Sequence, residues 1–343
     1  MLKPGTLIEG TIRSIRRGRG ILHYGKDTVF VQHALPGERV KVRIGKRLHD
    51  GYSASITAVC KAHPDRVSPP CPLYGRCGSC QLMHLSYEGQ LRWKKEQISR
   101  EAKKAGLPLQ VHDVIGMKDP YHYRNKMIIG FGRDEKGQLC AGLYEEFTHH
   151  IVPYRRCLMH PEHGDDIIAT ILTLMKKLRI EPYDERRRRG FLRHVLLRMT
   201  HDGSAVLVTL VCSDDRFPAR KAFVSELVHR HPDIHTIVLN VNRRQTSVVL
   251  GQEERILYGP GIITDELLGH TFALSASSFY QINHLQCERL YAQAYALLQP
   301  TEDMRVLDAY CGIGTIGLGI AGSIRALTGV EINEQAVKDA REN

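Results

Sequence analysis

The chain has 343 residues, 42% of them hydrophobic and 25% charged, the balance of a water-soluble globular protein longer than one typical domain. The opening MLKPGTLIEG has no apolar stretch to serve as a secretory leader, and no later run is long and apolar enough to span a bilayer, so a cytoplasmic protein without a membrane is expected. The formal charge of +11 is uneven: residues 1–60 hold eleven Lys/Arg against four Asp/Glu, a net +7, whereas residues 301–343 hold four against seven, a net −3. One end is suited to a polyanion, since releasing condensed counterions from nucleic acid favours basic surfaces.

In chain order, TLIEGTIRSI, GILHY, TVFVQHAL and RVKVRIGKR alternate apolar and polar residues and are broken by glycine turns. That pattern predicts a small antiparallel barrel of the OB type over residues 1–59. Arg16, Arg17, Arg19, Arg43, Lys46 and Arg47 would supply its phosphate contacts.

Nine cysteines in a chain of this length and character point to metal more than to disulfides. Cys71, Cys77 and Cys80 stand as C-x5-C-x2-C in the Pro/Gly-rich loop DRVSPPCPLYGRCGSCQLMHL, and Cys157 follows at YRRC. A freely turning loop can wrap three thiolates around one centre while a distant fourth staples the chain to it. The x5 gap is wider than a zinc knuckle, which favours an iron-sulfur cluster; His160, three residues after Cys157, keeps zinc open. Cys60, Cys140, Cys212 and Cys287 sit singly and are expected to be packing residues.

Residues 60–268 mix helical and strand-like stretches, an α+β domain. A helix is expected over 88–105, packing on the catalytic domain, with Gly106 as its stop. KMIIGFG, AVLVTLVC, TIVLNVN and TSVVLG read as strands, DIIATILTLMKKL and RKAFVSELVHRH as helices. Arg186–Arg189, with Arg193 and Arg198 of the adjoining FLRHVLLRM, are expected to form a basic strip facing RNA.

Residues 269–343 carry a helix at NHLQCERLYAQAYALLQP and then MRVLDAYCGIGTIGLGIAG, in which Gly312, Gly314 and Gly317 form G-x-G-x-x-G after a strand. Glu331 ends the next strand, nineteen residues past Gly312, placed to accept from ribose hydroxyls. A dinucleotide would set its pyrophosphate over the helix start, where the carboxylate of Asp308 is unwelcome. S-adenosylmethionine has no phosphate and carries positive groups, so Asp308 favours that cofactor over NAD. Only two parallel strands, near 305–309 and 326–332, precede the last residues NEQAVKDAREN, so this Rossmann-like domain is expected to be incomplete.

Taken together these motifs resemble the bacterial 23S rRNA 5-methyluridine methyltransferases that carry a 4Fe-4S cluster. The resemblance implies a TRAM domain for the basic barrel and cluster ligation by Cys71, Cys77, Cys80 and Cys157. SFYQIN is similar to the stretch before the family's catalytic domain, which with LDAYCGIGT and GVE implies cofactor contacts from Gln281, Tyr310 and Glu331; Asp308, Gly312 and Gly314 join them from the residue reading. The implied activity is methylation of a uridine C5 in 23S rRNA by a monomer, through a cysteine adduct at C6. Neither the nucleophilic cysteine nor the general base is found; both are expected beyond residue 343, and Cys311, inside the glycine loop, is expected to be structural. The chain alone would then bind RNA without turnover. Competing readings are methylation of tRNA, an inactive RNA-binding module, and an NAD-dependent oxidoreductase.

Overall fold

The computed structural model describes residues 2–343. The chain forms two compact units, one running to Pro120 and including Glu145–Thr148, the other Tyr121–Tyr144 with His149–Asn343.

The first unit opens with β1 (Leu7–Thr11), β2 (Ser14–Arg16), β3 (Arg19–Tyr24), β4 (Asp27–Gln32), β5 (Arg39–Leu48) and β6 (Gly51–Lys61). They form one sheet in the order β1-β5-β6-β4-β3-β2. All neighbours are antiparallel except β4 and β6. The strand period of two explains β5: Val40, Val42 and Ile44 point into the core while Arg39, Lys41 and Arg43 face out. Ile8, Leu22, Val29, Val31, Val40 and Val42 share that core. The sheet curls, for a Cβ added to Gly10 of β1 would stand 2.9 Å from Leu22 Cδ1 of β3. Helix α1 (Tyr87–Lys104) begins at Ser86, whose Oγ accepts from Gly89 N at 3.1 Å, and ends before Gly106 at φ +68°, matching the expected 88–105 closely.

The second unit holds β7 (Lys126–Arg133), β8 (Leu139–Tyr144), β9 (Ile151–Pro153), α2 (Glu162–Lys177), β10 (Leu192–Met199), β11 (Val206–Cys212), α3 (Arg220–Arg230), β12 (Ile234–Val241) and β13 (Glu253–Tyr258). Its sheet runs β13-β12-β11-β10-β7-β8-β9. Ile167, Ile171 and Leu174 of α2 and Phe223 and Leu227 of α3 pack with Val195, Leu197, Val208, Leu210, Ile237 and Leu239 of the sheet. Leu207 joins a second core with the hairpin β14 (Ile263–Leu267) and β15 (His270–Leu274) and with α4 (His284–Leu298). Then come β16 (Arg305–Ala309), a 3-10 turn at Leu318–Ser323, β17 (Ala326–Val330) and α5 (Glu334–Glu342). β16 and β17 pair in parallel, Asp308 opposite Gly329, as the two expected strands. Among the described residues no helix is long and apolar enough to cross a membrane.

Three expectations are corrected. FLRHVLLRM is Phe191 followed by β10, all of it buried, so Arg193 and Arg198 are interior residues and no part of a surface strip. Arg193 donates to the carbonyls of Asn242 and Arg244 at 2.9 and 2.8 Å and lies over the Tyr183 ring, while Arg198 donates to Ser278 O. TSVVLG is no strand: Asn242 Nδ2 donates to Val248 O and Val249 O, and Asn240 Oδ1 accepts from Gly251 N, so side chains satisfy the backbone groups a ladder would pair. Cys60 is exposed on β6, whereas Cys140, Cys212 and Cys287 are buried as expected.

Candidate functional site

The glycine loop follows β16 and is fastened to the end of β17. Cys311 N donates to Val330 O at 3.0 Å, Gly314 N to Cys311 O at 2.9 Å, and Leu318 N to Gly314 O at 3.0 Å. Two of its glycines are required. Gly314 has φ +86° and an added Cβ would lie 2.7 Å from Leu318 Cδ1; on Gly317 a Cβ would stand 2.9 Å from both Asp308 Oδ2 and Leu327 Cδ1. That close approach lets Gly317 N donate to Asp308 Oδ2 at 3.0 Å. Burial raises the Asp308 carboxyl pKa, and the Gly317 N–H pulls against the rise.

Glu331, the residue after β17, accepts from Gly312 N through Oε2 at 3.1 Å and from Asn333 N through Oε1 at 2.8 Å. The Asn333 N–H is the main cause of its lowered pKa, with Gly312 N assisting, so it is anionic near neutrality. A carboxylate has about four acceptor sites, which leaves two for a ligand hydroxyl pair. Tyr310 sits between strand and loop at φ +66° and is 89% exposed. Cys311 rests against Gly329. Burial and the charges of Asp308 and Glu331 all raise its thiol pKa, the opposite of what a nucleophile needs.

Gln281 is set by its backbone: its carbonyl accepts from Asn125 Nδ2 and that of Ile282 from Asn125 N, both at 2.9 Å. Just upstream, Ser278 Oγ donates to Asp339 Oδ2 of α5 at 2.9 Å, and Asn343 bridges Ala273 N and Ile313 O at 2.8 and 3.1 Å. Downstream, Asn283 caps α4 through Gln286 N. SFYQIN, the glycine loop and Glu331 thus belong to one hydrogen-bonded framework in the second unit.

Cys71, Cys77 and Cys80 lie half-buried on the irregular loop of the first unit, where Tyr74 N donates to Cys71 O and Cys77 N to Leu73 O. Tyr74 Oη bonds Gln81 O at 2.9 Å and His84 Nδ1 at 2.5 Å, and its ring lies 4.8 Å from that of His33. Burial, with the Arg66 charge next, lowers the His84 pKa to about 4, so its imidazole is neutral. Ligand sulfurs on one tetrahedral zinc stand about 3.8 Å apart. Among the described residues these three thiols are not gathered within 4.8 Å of one another.

Cys157 belongs to the second unit. Its N–H donates to Asp165 Oδ2 at 2.9 Å, and the other carboxylate oxygen holds His160 Nδ1 at 3.0 Å. Burial pushes the Cys157 thiol up, but the hydrogen bond and charge of His160 and nearby backbone donors outweigh it and lower its pKa toward the thiolate. His160 is fully buried and committed to Asp165, a supporting residue more than a ligand.

Of the basic residues, Arg16, Arg17, Arg43, Lys46 and Arg47 are exposed, and Arg19 is held by Glu146 at 3.3 Å over the Phe147 ring. Arg186–Arg189 are exposed on a turn fixed by Asp184, whose Oδ1 accepts from Arg186 N and Arg187 N.

No protein-family model matches the chain. It is 38% identical to an uncharacterized RNA methyltransferase of Listeria monocytogenes, over all of this chain and 76% of the relative. A Halalkalibacterium halodurans protein of the same description is 37% identical over 98% of this chain and 74% of its own length. A Staphylococcus aureus one is 34% identical over 100% and 75%. Among solved structures the fold resembles that of the Pyrococcus abyssi tRNA (uracil-54, C5)-methyltransferase in complex with S-adenosyl-L-homocysteine, with a TM-score of 0.76 and 24% identity over 98% of this chain and 75% of that one. Having relatives of this identity along its full length, the chain belongs to the RNA methyltransferases.

Proposed function

We propose that the protein methylates C5 of a uridine in 23S rRNA, in the cytoplasm and as a monomer, with S-adenosylmethionine as donor. The observation that carries the donor is Asp308 on Gly317 N: the turn N–H that would receive a pyrophosphate is taken by a carboxylate, which disfavours dinucleotides and suits a cationic ligand. Glu331 would accept from the donor's ribose, Tyr310 would offer its exposed ring, and Gln281, Gly312 and Gly314 would line the remainder. The structural neighbour's complex with S-adenosyl-L-homocysteine supports this reading. Adenosylmethionine supplies an electrophilic methyl on its sulfonium.

Uridine C5 is a poor nucleophile until a cysteine thiolate adds to C6, which makes C5 enolate-like; after methylation a base removes the C5 proton and the thiolate leaves. Cys311, with its raised pKa and its packing on Gly329, is not that cysteine. Residues 1–59 would act as a TRAM-type barrel gripping RNA phosphates, residues 60–268 as an α+β domain, and residues 269–343 as the donor domain. Cys71, Cys77, Cys80 and Cys157 would hold a 4Fe-4S cluster serving as a structural staple. The quartet and the basic barrel favour rRNA over tRNA.

Deleting the gene from its host and mapping 5-methyluridine by nuclease digestion and mass spectrometry tests the target. One 5-methyluridine should vanish from 23S rRNA; loss from tRNA alone, or from neither, would refute the assignment. Glu331→Gln removes a charge from the ribose acceptor and should weaken adenosylmethionine binding about tenfold or more, since hydrogen bonds to charged groups contribute roughly 1.5–3 kcal/mol. Unchanged affinity by calorimetry would take Glu331 out of the site.

A further inference from the structure

Away from the glycine loop and the cysteines, three side chains with ligand chemistry converge in the second unit. His163 lies in the first turn of α2, His231 directly follows α3, and Asp233 directly precedes β12. One ligand atom from each lies within 4.8 Å of the other two. His163 Nε2 is 2.6 Å from Asp233 Oδ2, and the two imidazole rings are 5.5 Å apart between centroids.

The framework around them is fixed. His231 is buried, and its Nε2 is 2.8 Å from Thr170 Oγ1 of α2. Its carbonyl accepts from Ile234 N at 3.0 Å, and the Asp233 carbonyl accepts from Val206 N of β11 at 2.9 Å. His163 is the freest of the three, its side chain 43% exposed.

We propose that His163, His231 and Asp233 form a binding site for a divalent transition-metal ion, best matched by zinc. Two imidazole nitrogens and one carboxylate make a borderline donor set that selects zinc, nickel or copper over magnesium or calcium. With bonds of about 2.0–2.2 Å in a tetrahedron, ligand atoms stand about 3.3 Å apart. The hydrogen-bonded His163–Asp233 pair must open slightly to reach that spacing, a movement the exposed His163 side chain allows. Thr170 acts as the outer partner that orients the His231 ring. A fourth position would be left to water. An ion here would clip α2 and the end of α3 to the start of β12, a role separate from methyl transfer.

Cobalt(II) is the probe, because its absorption distinguishes ligand sets: thiolates give intense near-ultraviolet charge-transfer bands, nitrogen and oxygen ligands only d–d bands. In the difference between the wild-type and Asp233→Asn titrations with cobalt, which cancels any ion taken by the four cysteines, one equivalent should appear with d–d bands and no charge transfer, and zinc should displace it. His163→Gln and Asp233→Asn, each folded by circular dichroism, should weaken that binding about a hundredfold or more. Thr170→Val should weaken it about 10- to 100-fold while leaving all three ligands in place. The proposal is overturned if the wild-type chain shows no such d–d bands, or if these variants bind cobalt with unchanged affinity and spectrum.

Discussion

Replacing Arg198 with alanine should destabilise the second unit by about 3–5 kcal/mol, read from urea unfolding. Arg198 on β10 is completely buried. One of its nitrogens donates to Ser278 O at 2.5 Å, while its Nε and Nη1 have no hydrogen-bond partner among the described residues. Burial draws its pKa down to about 10, and the neighbouring Tyr280 and Asp265 pull it back up. Asp265 is also buried, with one oxygen accepting from His201 N at 2.9 Å. Removing the guanidinium therefore takes away a positive charge that acts on this buried carboxylate. The double variant Arg198→Met, Asp265→Asn removes both charges and should recover most of the loss, since a neutral interior of similar volume is no worse than one holding two buried charges. Arg198→Ala should also weaken donor binding, because Ser278 begins the segment that carries Gln281. A loss below about 1 kcal/mol would show that Arg198 is only filling space.

The first unit should lose stability on acidification, and Glu38→Gln should abolish most of that response. Glu38 is fully buried and its carboxylate is saturated: Oε2 accepts from Leu35 N and Arg66 Nη2, both at 2.8 Å, and Oε1 from His63 N at 3.1 Å and Arg66 Nε at 2.5 Å. Burial by itself would raise its pKa, but the Arg66 hydrogen bonds and the two backbone donors prevail and hold it below the ordinary 4.5. The folded value is thus the lower one. The stability it confers is present above about pH 4.5 and disappears as pH falls through the folded pKa. Glu38→Gln turns one acceptor into a donor facing donors and should cost about 3–5 kcal/mol near pH 7. The difference in urea midpoint between wild type and variant should narrow steadily below pH 4.5. An equal difference at pH 7 and pH 3 would sink the assignment.

The parts of this molecule that were legible in the sequence are those whose signal is local. The glycine loop declared itself because a strand, a G-x-G-x-x-G run and an acid at fixed spacing lie within about two dozen residues. Strands β7, β11 and β12 and helices α2 and α3 announced themselves through continuous or periodic apolar residues. β10 was misread because arginines interrupt FLRHVLLRM, and a buried arginine that donates to carbonyls looks the same in sequence as one on a surface. β6 was missed because GYSASITAVCK has few large apolar residues; its partners, antiparallel β5 and parallel β4, define it. TSVVLG has strand composition, yet Asn240 and Asn242 capture its backbone. The His163, His231 and Asp233 cluster had no local signature at all, since its members meet only when two helices and a strand are assembled.

The four residues Glu145–Thr148 have a consequence for modularity. They lie between β8 and β9 yet belong with the first unit, where a Cβ added to Gly78 would stand 2.8 Å from Glu146 Cα. The polypeptide therefore passes between its compact units three times. A single recombination breakpoint at Pro120 would transplant an amino-terminal module that lacks the partner of Arg19 and the backing of the Cys77–Gly78 turn. Exchange of the amino-terminal unit among relatives must therefore carry this tetrapeptide along or select for its re-adaptation, and chimeras that swap this unit should be cut twice.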